Sequence, residues 1–273
     1  MPQITGANEN VLHCEDTGGT GRPVVLIHGW PLNGQAWKDQ VGPLAAAGHR
    51  VITYDRRGFG ESEPSHPYGY DALADDLAAL LEALDLHDAV LVGFSMGGGE
   101  VARYISRHGQ DRLGGVVFAA AVPPYMLHTA DNPEGPLKKT EAAAMAAKLT
   151  ASQDAFYDDF TAQFFSANGS LCVSEEQRQE AIALCRQATK LAALECMASF
   201  GSTDFREDLA QVTVPTLIIH GDADGIVPLE GSGGRTHTAI PDSELVVVPG
   251  APHGLNVSHA EQFNAALLGF LGR

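Results

Sequence analysis

Three residues that follow apolar segments could together carry out nucleophilic catalysis. Ser95 is the centre of a Gly-Phe-Ser-Met-Gly pentapeptide, Asp224 ends the run His-Gly-Asp-Ala-Asp, and His253 follows Pro-Gly-Ala-Pro. A serine hydroxyl is a poor nucleophile at neutral pH and needs a general base that a third group holds in place. We predict Ser95 as nucleophile, His253 as base and later acid, and Asp224 as the group that sets the histidine tautomer.

The setting of Ser95 is more informative than the pentapeptide alone. Residues 88–94 are apolar and rich in valine, which indicates a buried strand, and apolar residues at helical spacing follow Gly97. A strand, a sharp turn and a helix form a nucleophile elbow, which strains the serine backbone and lifts its hydroxyl above the sheet. We expect glycine at positions 93 and 97 because a Cβ there would meet the neighbouring strand and helix.

The acid and the remaining histidines allow alternatives. Asp222 competes with Asp224 for the acid role, but it lies nearer the strand and could simply cap the turn; we favour Asp224. His28 and His220 each precede a glycine at a strand end, which favours structural histidines bonded to the backbone. We expect no metal site among the histidines.

Acyl transfer also requires two backbone N–H groups directed at the developing oxyanion. One is expected from Met96, the residue after the nucleophile. The other is expected from Trp30, in the loop His28-Gly-Trp-Pro31 after an early strand. Pro31 restrains Trp30 to extended conformations and so sets the direction of the Trp30 carbonyl. The Trp30 side chain could instead be a core anchor, which would leave its amide available.

Strand-like and helix-like segments must position these residues, and they alternate along most of the chain. Strands are predicted at 11–14, 23–28, 50–55, 88–94, 115–120, 214–220 and 244–249, and helices at 35–47, 70–84 and 97–107, with a last helix opened by a capping box at Ser258-His259-Ala-Glu261. Strands that are apolar on both faces predict a mostly parallel sheet flanked by helices. One or two strands at the start of the chain, around residues 11–14, are expected to pair antiparallel.

Residues 123–205 interrupt the alternation, because they are almost all helix-like. Ser174 and Gln177 form a capping box at the head of a long helix. We predict a helical lid inserted above the carboxyl ends of the strands, where open α/β sheets bind ligands. Residues 1–273 would then form a single domain.

Charge and cysteine usage limit the class of protein. A net charge of −17 argues against nucleic acid and anionic membranes as partners. No apolar run reaches the ~18 residues of a spanning helix, and the start lacks a secretory signal pattern.

The four cysteines have neither C-x-x-C nor zinc spacing. We assign Cys185 and Cys196 to one helical region, ~16 Å apart and too far for a disulfide. This predicts reduced thiols and a cytoplasmic protein.

Taken together, these motifs resemble the α/β-hydrolase superfamily and, within it, the cofactor-free (non-heme) bacterial haloperoxidases, also called perhydrolases, and their arylesterase relatives. The segments that carry the resemblance span nearly the whole chain: 28–32, 54–62, 93–98, 121–124, 203–205, 214–217, 220–224 and 250–256. It implies Ser95, Asp224 and His253 as the triad, and Trp30 and Met96 as oxyanion donors.

The resemblance also implies a substrate pocket and a chemistry. The pocket would be lined by Trp30, Phe94, Phe200, Ile226 and Val227, with Phe160 and Phe164 reaching in from the lid or serving only as packing. Such an apolar aromatic pocket favours small aromatic or short acyl esters as the small-molecule substrate.

In such families an acyl-serine is hydrolysed by water. Hydrogen peroxide in place of water yields a peracid of a short-chain carboxylic acid, which oxidises halide without cofactor, haem or metal. A Trp-Pro pair is associated with perhydrolysis, and we hypothesise that the Trp30 carbonyl accepts a hydrogen bond from peroxide. Relatives often form homo-oligomers.

Several other functions share these residues. A lactone, lactam, C–C bond or thioester hydrolase would use the same triad, and a ligand receptor could retain it. Dehalogenase and epoxide-hydrolase relatives carry aspartate where Ser95 stands, which disfavours them. Flavin or nicotinamide chemistry is disfavoured because Gly97-Gly98-Gly99 lacks the G-x-G-x-x-G spacing.

Overall fold

The computed structural model describes residues 3–272. Its strands are β1 (Gln3–Thr5), β2 (Val11–Asp16), β3 (Pro23–Ile27), β4 (Arg50–Tyr54), β5 (Ala89–Phe94), β6 (Leu113–Ala119), β7 (Ser166–Ala167), β8 (Ser170–Leu171), β9 (Thr216–Gly221) and β10 (Glu244–Val248). Its α-helices are α1 (Lys38–Ala46), α2 (Tyr70–Ala83), α3 (Met96–His108), α4 (Lys139–Ala151), α5 (Gln153–Phe164), α6 (Glu175–Cys185), α7 (Lys190–Ser202), α8 (Arg206–Leu209), α9 (Gly233–Ala239), α10 (Leu255–Ser258) and α11 (Ala260–Leu271).

Eight of the described strands form one sheet in the order β1-β2-β4-β3-β5-β6-β9-β10. β1 and β2 pair antiparallel, as do β2 and β4, and every other pair in the sheet is parallel. All six residues of β5 are buried, because helices cover both faces of the sheet. The predicted mostly parallel sheet with an antiparallel opening is confirmed.

Two layers of helices enclose the sheet. Helices α2, α3, α8 and α9 contact one another in sequence, and α1, α10 and α11 form a second group. Both groups reach the end of the sheet, through contacts of α9 and α11 with β9 and β10. The chain therefore buries the apolar faces of its central strands from both sides.

The strand order places a crevice at the middle of the sheet. β3 lies between β4 and β5, so the chain crosses from one side of β3 to the other after β4. Ligands of open α/β sheets bind at such a switch point, outside the carboxyl ends of the strands. The loops that follow β3 and β5 contain Trp30 and Ser95.

The region predicted as a lid contains four helices, α4 to α7, and the short β7–β8 hairpin. The capping box of Ser174 and Gln177 at the start of α6 is confirmed. The first part of the region, residues 123–138, is not helical, contrary to the expectation. It contains four prolines, which lack an N–H and push the preceding residue out of the helical region.

Two further local predictions are wrong. Cys185 ends α6 and Cys196 lies in α7, because the chain leaves the helix after Cys185 and Thr189 caps a new one through the Ala192 amide. The last helix has no capping box at Ser258: that hydroxyl donates to the Gly254 carbonyl, and α11 begins at Ala260. Over residues 3–272 no helix is long and apolar enough to cross a membrane.

Candidate active site

The turn between β5 and α3 holds Ser95 in a strained conformation. Its φ is 53° and its ψ is −116°, a region that residues other than glycine rarely adopt. A Cβ on Gly93 would lie 2.5 Å from the Gly97 carbonyl oxygen, and a Cβ on Gly97 would lie 2.6 Å from that of Ile27. The expected need for glycine at both positions is confirmed, because the strand, the turn and the neighbouring β3 backbone approach too closely for a side chain.

The side chains of Ser95, His253 and Asp224 meet above the carboxyl edge of the sheet. His253 Nε2 lies 2.9 Å from Ser95 Oγ, and His253 Nδ1 lies 2.7 Å from Asp224 Oδ2. His253 and Asp224 are buried, and Ser95 keeps 7% of its surface exposed. The imidazole can therefore accept the serine proton on one nitrogen while the carboxylate accepts from the other.

Asp224 is held as a carboxylate by its surroundings. Burial alone would raise its pKa, but the charge of His253 and hydrogen bonds from His220 and His253 outweigh it and leave the pKa well below the usual range. Its second oxygen, Oδ1, accepts hydrogen bonds from the amides of Ile226 and Val227 at 2.9 and 2.8 Å. These bonds hold the carboxylate in the orientation in which its other oxygen, Oδ2, faces the imidazole.

Asp222 has a different position. Its Oδ1 accepts a hydrogen bond from the Gly250 amide at 2.6 Å, so it joins the two loops that contain Asp224 and His253. The structure therefore brings Asp224 to the imidazole, whereas the Asp222 side chain contacts the loop that precedes His253.

His28 and His220 both bond to the backbone, as predicted for structural histidines. His28 Nε2 accepts from the Arg56 amide at 3.0 Å, and its Nδ1 lies 2.9 Å from the Gly29 carbonyl oxygen. His220 Nε2 lies 2.8 Å from the Val227 carbonyl oxygen and 3.4 Å from Asp224 Oδ2. The ring of His220 thus supports the loop that holds Asp224.

The loop after β3 lies against the nucleophile. A Cβ on Gly29 would be 3.2 Å from Ser95 Cβ, so no side chain separates the two. The Gly29 carbonyl oxygen accepts from the Leu32 amide at 3.0 Å and faces His28 Nδ1. Because C=O and N–H of a trans peptide point in opposite directions, these bonds turn the Trp30 N–H away from Leu32.

Met96 is the first residue of α3, so its amide is one of the donors that a helix start leaves without an intrahelical partner. Tyr70 donates from its hydroxyl to the Met96 carbonyl oxygen at 3.0 Å, which holds this first turn. Within residues 3–272 neither the Trp30 nor the Met96 amide donates to another group of the protein.

A cavity of about 60 Å³ contains Ser95 and His253 and is otherwise apolar. Five residues expected to line the substrate pocket surround it: Trp30, Phe160, Phe200, Ile226 and Val227. Trp30 packs against the Phe160 and Phe200 rings at centroid distances of 5.3 and 5.6 Å. Its indole N–H donates to the Ala193 carbonyl on α7, which links the loop after β3 to the lid region.

Phe94 and Phe164 are placed elsewhere. The Phe94 ring lies beneath His253 at 5.2 Å, packed between Trp37 and Phe164. Phe164 packs edge-on against His253 at 5.1 Å and lines a neighbouring apolar groove of about 350 Å³. Both rings contact the imidazole and lie outside the walls of the Ser95 cavity.

Sequence reasoning did not identify four further residues of the cavity wall: Val122, Met126, Leu137 and Met145. Val122 and Met126 lie at or just beyond the Ala121-Val-Pro-Pro124 motif, at the carboxyl end of β6, so that motif was the available signal. Met145 lies in the alanine-rich helix α4, where one larger apolar side chain gives no signal of a binding role.

Comparison with known proteins agrees with this geometry. The family model of the alpha/beta hydrolase fold matches residues 22–260, and the chain belongs to this family. The chain is 43% identical to a non-heme chloroperoxidase of Kitasatospora aureofaciens, over 93% of this chain and 94% of the relative. It is 36% identical to a bifunctional esterase/perhydrolase of Acinetobacter calcoaceticus, over 99% of each chain.

Among solved structures, a bromoperoxidase from Bacillus anthracis superposes with a TM-score of 0.97 at 49% sequence identity, covering 100% of this chain and 99% of that one. The resemblance to the non-heme haloperoxidases and their esterase relatives, predicted from the motifs, is confirmed.

Proposed function

We propose that this chain is a serine esterase that cleaves small carboxylic esters, including aryl esters, through an acyl-serine at Ser95. The observation that carries the proposal is His253, which bridges Ser95 Oγ and Asp224 Oδ2 at 2.9 and 2.7 Å. Relatives named as chloroperoxidase and as esterase/perhydrolase support the same chemistry.

The mechanism follows from the positions of the polar atoms. Ser95 Oγ attacks the ester carbonyl while His253 Nε2 takes its proton, and Asp224 stabilises the imidazolium. The amides of Trp30 and Met96 would donate to the tetrahedral oxyanion. His253 then returns the proton to the leaving alcohol, and water, activated by the same imidazole, releases the acid from Ser95.

Hydrogen peroxide could replace water in the second half of the reaction. The peroxide oxygen would attack the acyl carbon, His253 would take its proton, and Ser95 would leave as the hydroxyl, giving a peracid. That peracid can transfer one oxygen to a halide ion, which yields hypohalous acid and regenerates the carboxylate. The Trp30-Pro31 sequence and the perhydrolase relative support this second activity.

The size of the cavity defines the acyl group that we propose. A cavity of about 60 Å³ is small, which favours a short acyl group such as acetyl or propionyl over a long chain. Its apolar wall offers no charged partner, so uncharged acyl groups are favoured. Short acyl esters, hydrogen peroxide and short-chain carboxylic acids are thus the small molecules proposed to act at this site.

Two properties of the protein outside the active site belong to the proposal. We propose a cytoplasmic location, which the presence of all four cysteines as thiols supports. We also keep the homo-oligomer expected from the family resemblance, which sedimentation of the purified protein would test.

The test is hydrolysis of p-nitrophenyl acetate by the wild type and by Ser95→Ala, measured side by side after chelation of metals. We expect the wild type to turn over and kcat of the variant to fall by several orders of magnitude, as in other triads. Equal, slow rates in the two proteins would remove the proposal and favour a ligand receptor.

A further inference from the structure

A fully buried ion pair lies beneath the proposed oxyanion hole. The side chains of Arg56 and Glu100 are 1% and 0% exposed, and Arg56 Nε donates to Glu100 Oε1 at 2.5 Å. The hydroxyl of Tyr54 donates to the other carboxylate oxygen at 2.7 Å. Burying two charges is costly, and a pair of this kind adds little stability over apolar residues. The pair also contacts the two segments that contain the proposed oxyanion donors, which indicates a role besides stability.

Arg56 holds the loop that precedes Trp30. Its Nη2 donates to the His28 carbonyl at 2.8 Å, and its backbone amide donates to His28 Nε2 at 3.0 Å. Since Nε2 accepts a hydrogen bond, the ring proton of neutral His28 resides on Nδ1, which then donates to the Gly29 carbonyl. That carbonyl and the Trp30 N–H belong to one peptide unit, so Arg56 and His28 together set the direction of the Trp30 N–H.

His28 is kept neutral by the same surroundings. Burial and the nearby charge of Arg56 lower its pKa well below the usual range. The hydrogen-bond pattern that orients the Gly29–Trp30 peptide therefore does not change over the neutral pH range.

Glu100 connects the pair to the other proposed donor. It lies in α3, one turn after Met96, whose amide begins this helix. The two proposed oxyanion donors come from separate segments, the loop after β3 and the start of α3. Arg56, which follows β4, contacts both segments: its side chain donates to the His28 carbonyl in the loop after β3 and to Glu100 in α3.

We propose that Arg56 and Glu100 are positioning residues that hold the amides of Trp30 and Met96 at the spacing that the oxyanion requires. The inference rests on the proposed esterase function and deepens it. Neither side chain reaches the substrate cavity, so the pair acts through the backbone that it holds. A misplacement of about 1 Å in such a site costs about 100-fold in rate.

The chain supplies a matched control next to Arg56. Arg57 is also fully buried, and its Nε and Nη2 donate to the two oxygens of Asp76 at 2.6 and 2.7 Å. Its remaining contacts include the Pro67 carbonyl at 3.1 Å and not the loop after β3. Two consecutive arginines thus form equivalent buried pairs, of which one adjoins the proposed oxyanion hole.

The experiment compares Arg56→Lys with Arg57→Lys. Lysine keeps the charge but cannot bind the carboxylate and the His28 carbonyl in the same planar arrangement. We expect both variants to unfold at lower temperature. In Arg56→Lys we expect kcat for p-nitrophenyl acetate to fall about 100-fold with KM unchanged, because only transition-state binding is lost. Arg57→Lys should retain its kcat.

A second readout is the affinity of ethylboronic acid, which forms a tetrahedral adduct with a catalytic serine. It should fall in parallel with kcat in Arg56→Lys and stay at the wild-type value in Arg57→Lys. Retention of kcat and boronate affinity in Arg56→Lys, or an equal loss in both variants, would overturn the positioning role.

If Arg56→Lys does not fold, Tyr54→Phe removes one hydrogen bond from Glu100 and tests the same link. A lower kcat at unchanged KM supports the proposal, and a wild-type kcat overturns it. These outcomes are distinct from failure of the proposed function, in which wild-type activity would not depend on Ser95. That result would overturn both the proposed esterase function and the positioning role of Arg56 and Glu100.

Discussion

At the scale of single residues, the geometry around His253 assigns different work to two aspartates that lie two positions apart. Asp224 accepts from His253 and from the amides of Ile226 and Val227, whereas Asp222 accepts from the Gly250 amide. Only a carboxylate that contacts the imidazole can stabilise its positive charge in the transition state. The roles of Asp222 and Asp224 can therefore be distinguished by substituting each residue.

We expect Asp224→Asn to lower kcat about ten-thousandfold, because the amide favours the wrong imidazole tautomer. Asp222→Asn is the matched control, since its amide oxygen can still accept from the Gly250 amide and kcat should stay close to the wild-type value. Steady-state kinetics with p-nitrophenyl acetate measure both. A larger loss in Asp222→Asn than in Asp224→Asn would exchange the two roles.

At the scale of elements, the contact between the elbow and β3 leaves no room for a side chain. Gly97 is in the first turn of α3, and a Cβ there would lie 2.6 Å from the Ile27 backbone oxygen. Backbone cannot move aside as the end of a flexible side chain can. The elbow is thus held by strand–helix packing as well as by its own turn.

We expect Gly97→Ala to lower the free energy of unfolding by about 1–3 kcal/mol and to reduce kcat, because the helix must shift away from β3. Gly269→Ala is the control: it is an exposed helical position in α11 with open space around its Cβ. That change should raise the free energy of unfolding by about 0.5–1 kcal/mol. Chemical denaturation measures both, and a stable, fully active Gly97→Ala would contradict the packing argument.

The helices of the lid region supply part of the wall around Ser95. Phe200 in α7 lines the cavity and packs on Trp30 at 5.6 Å. The cavity measures about 60 Å³, so in the proposed reaction we expect the size of the Phe200 side chain to limit the length of the acyl group. Under the proposed function, we expect the lid region to set selectivity for the acyl group, while the sheet edge positions Ser95, Asp224 and His253.

We expect Phe200→Ala to increase the ratio of kcat/KM for p-nitrophenyl hexanoate to that for the acetate by about 10-fold or more, as a pocket gains room for added methylenes. Leu191→Ala, at a position in the same helix that is 55% exposed, should leave the ratio unchanged. An unchanged ratio in Phe200→Ala would show that the acyl chain does not lie against this residue.

At the scale of the whole molecule, burial controls the reactivity of the cysteine thiols. Burial raises the pKa of Cys196 to about 12 and that of Cys14 to about 11, and Cys185 is fully buried as well. Cys172 is half-buried in the β7–β8 hairpin region. Since thiolate is the reactive form, the fold protects three of the four thiols.

We expect a chromogenic disulfide reagent at about pH 8 to titrate one thiol in the native protein, Cys172, and four after unfolding. Cys172→Ser should reduce the native value to none and the unfolded value to three. Rapid native reaction of more than one thiol would contradict the burial of the others.

Much of the fold was predictable because its signals are local. Apolar segments of strand length and helical periodicity depend on neighbouring residues, and they located the main sheet strands to within about two residues. Residues 123–138 and the break after Cys185 were missed, because prolines and a threonine cap override the helical composition there. The proximity of Ser95, Asp224 and His253 followed from their places after parallel strands.

The sequence by itself determined the order of strands, turns and helices, the strained glycine-flanked serine, and the motifs that connect the chain to its family. Only the tertiary structure decided which buried groups pair: Arg56 with Glu100, but Arg57 with Asp76. It also decided that Phe160 and Phe200 line the cavity while Phe94 and Phe164 pack around His253. Consecutive arginines are chemically identical, and their partners lie 44 and 19 residues away. Such pairings depend on the crossing of distant elements, which no local pattern encodes.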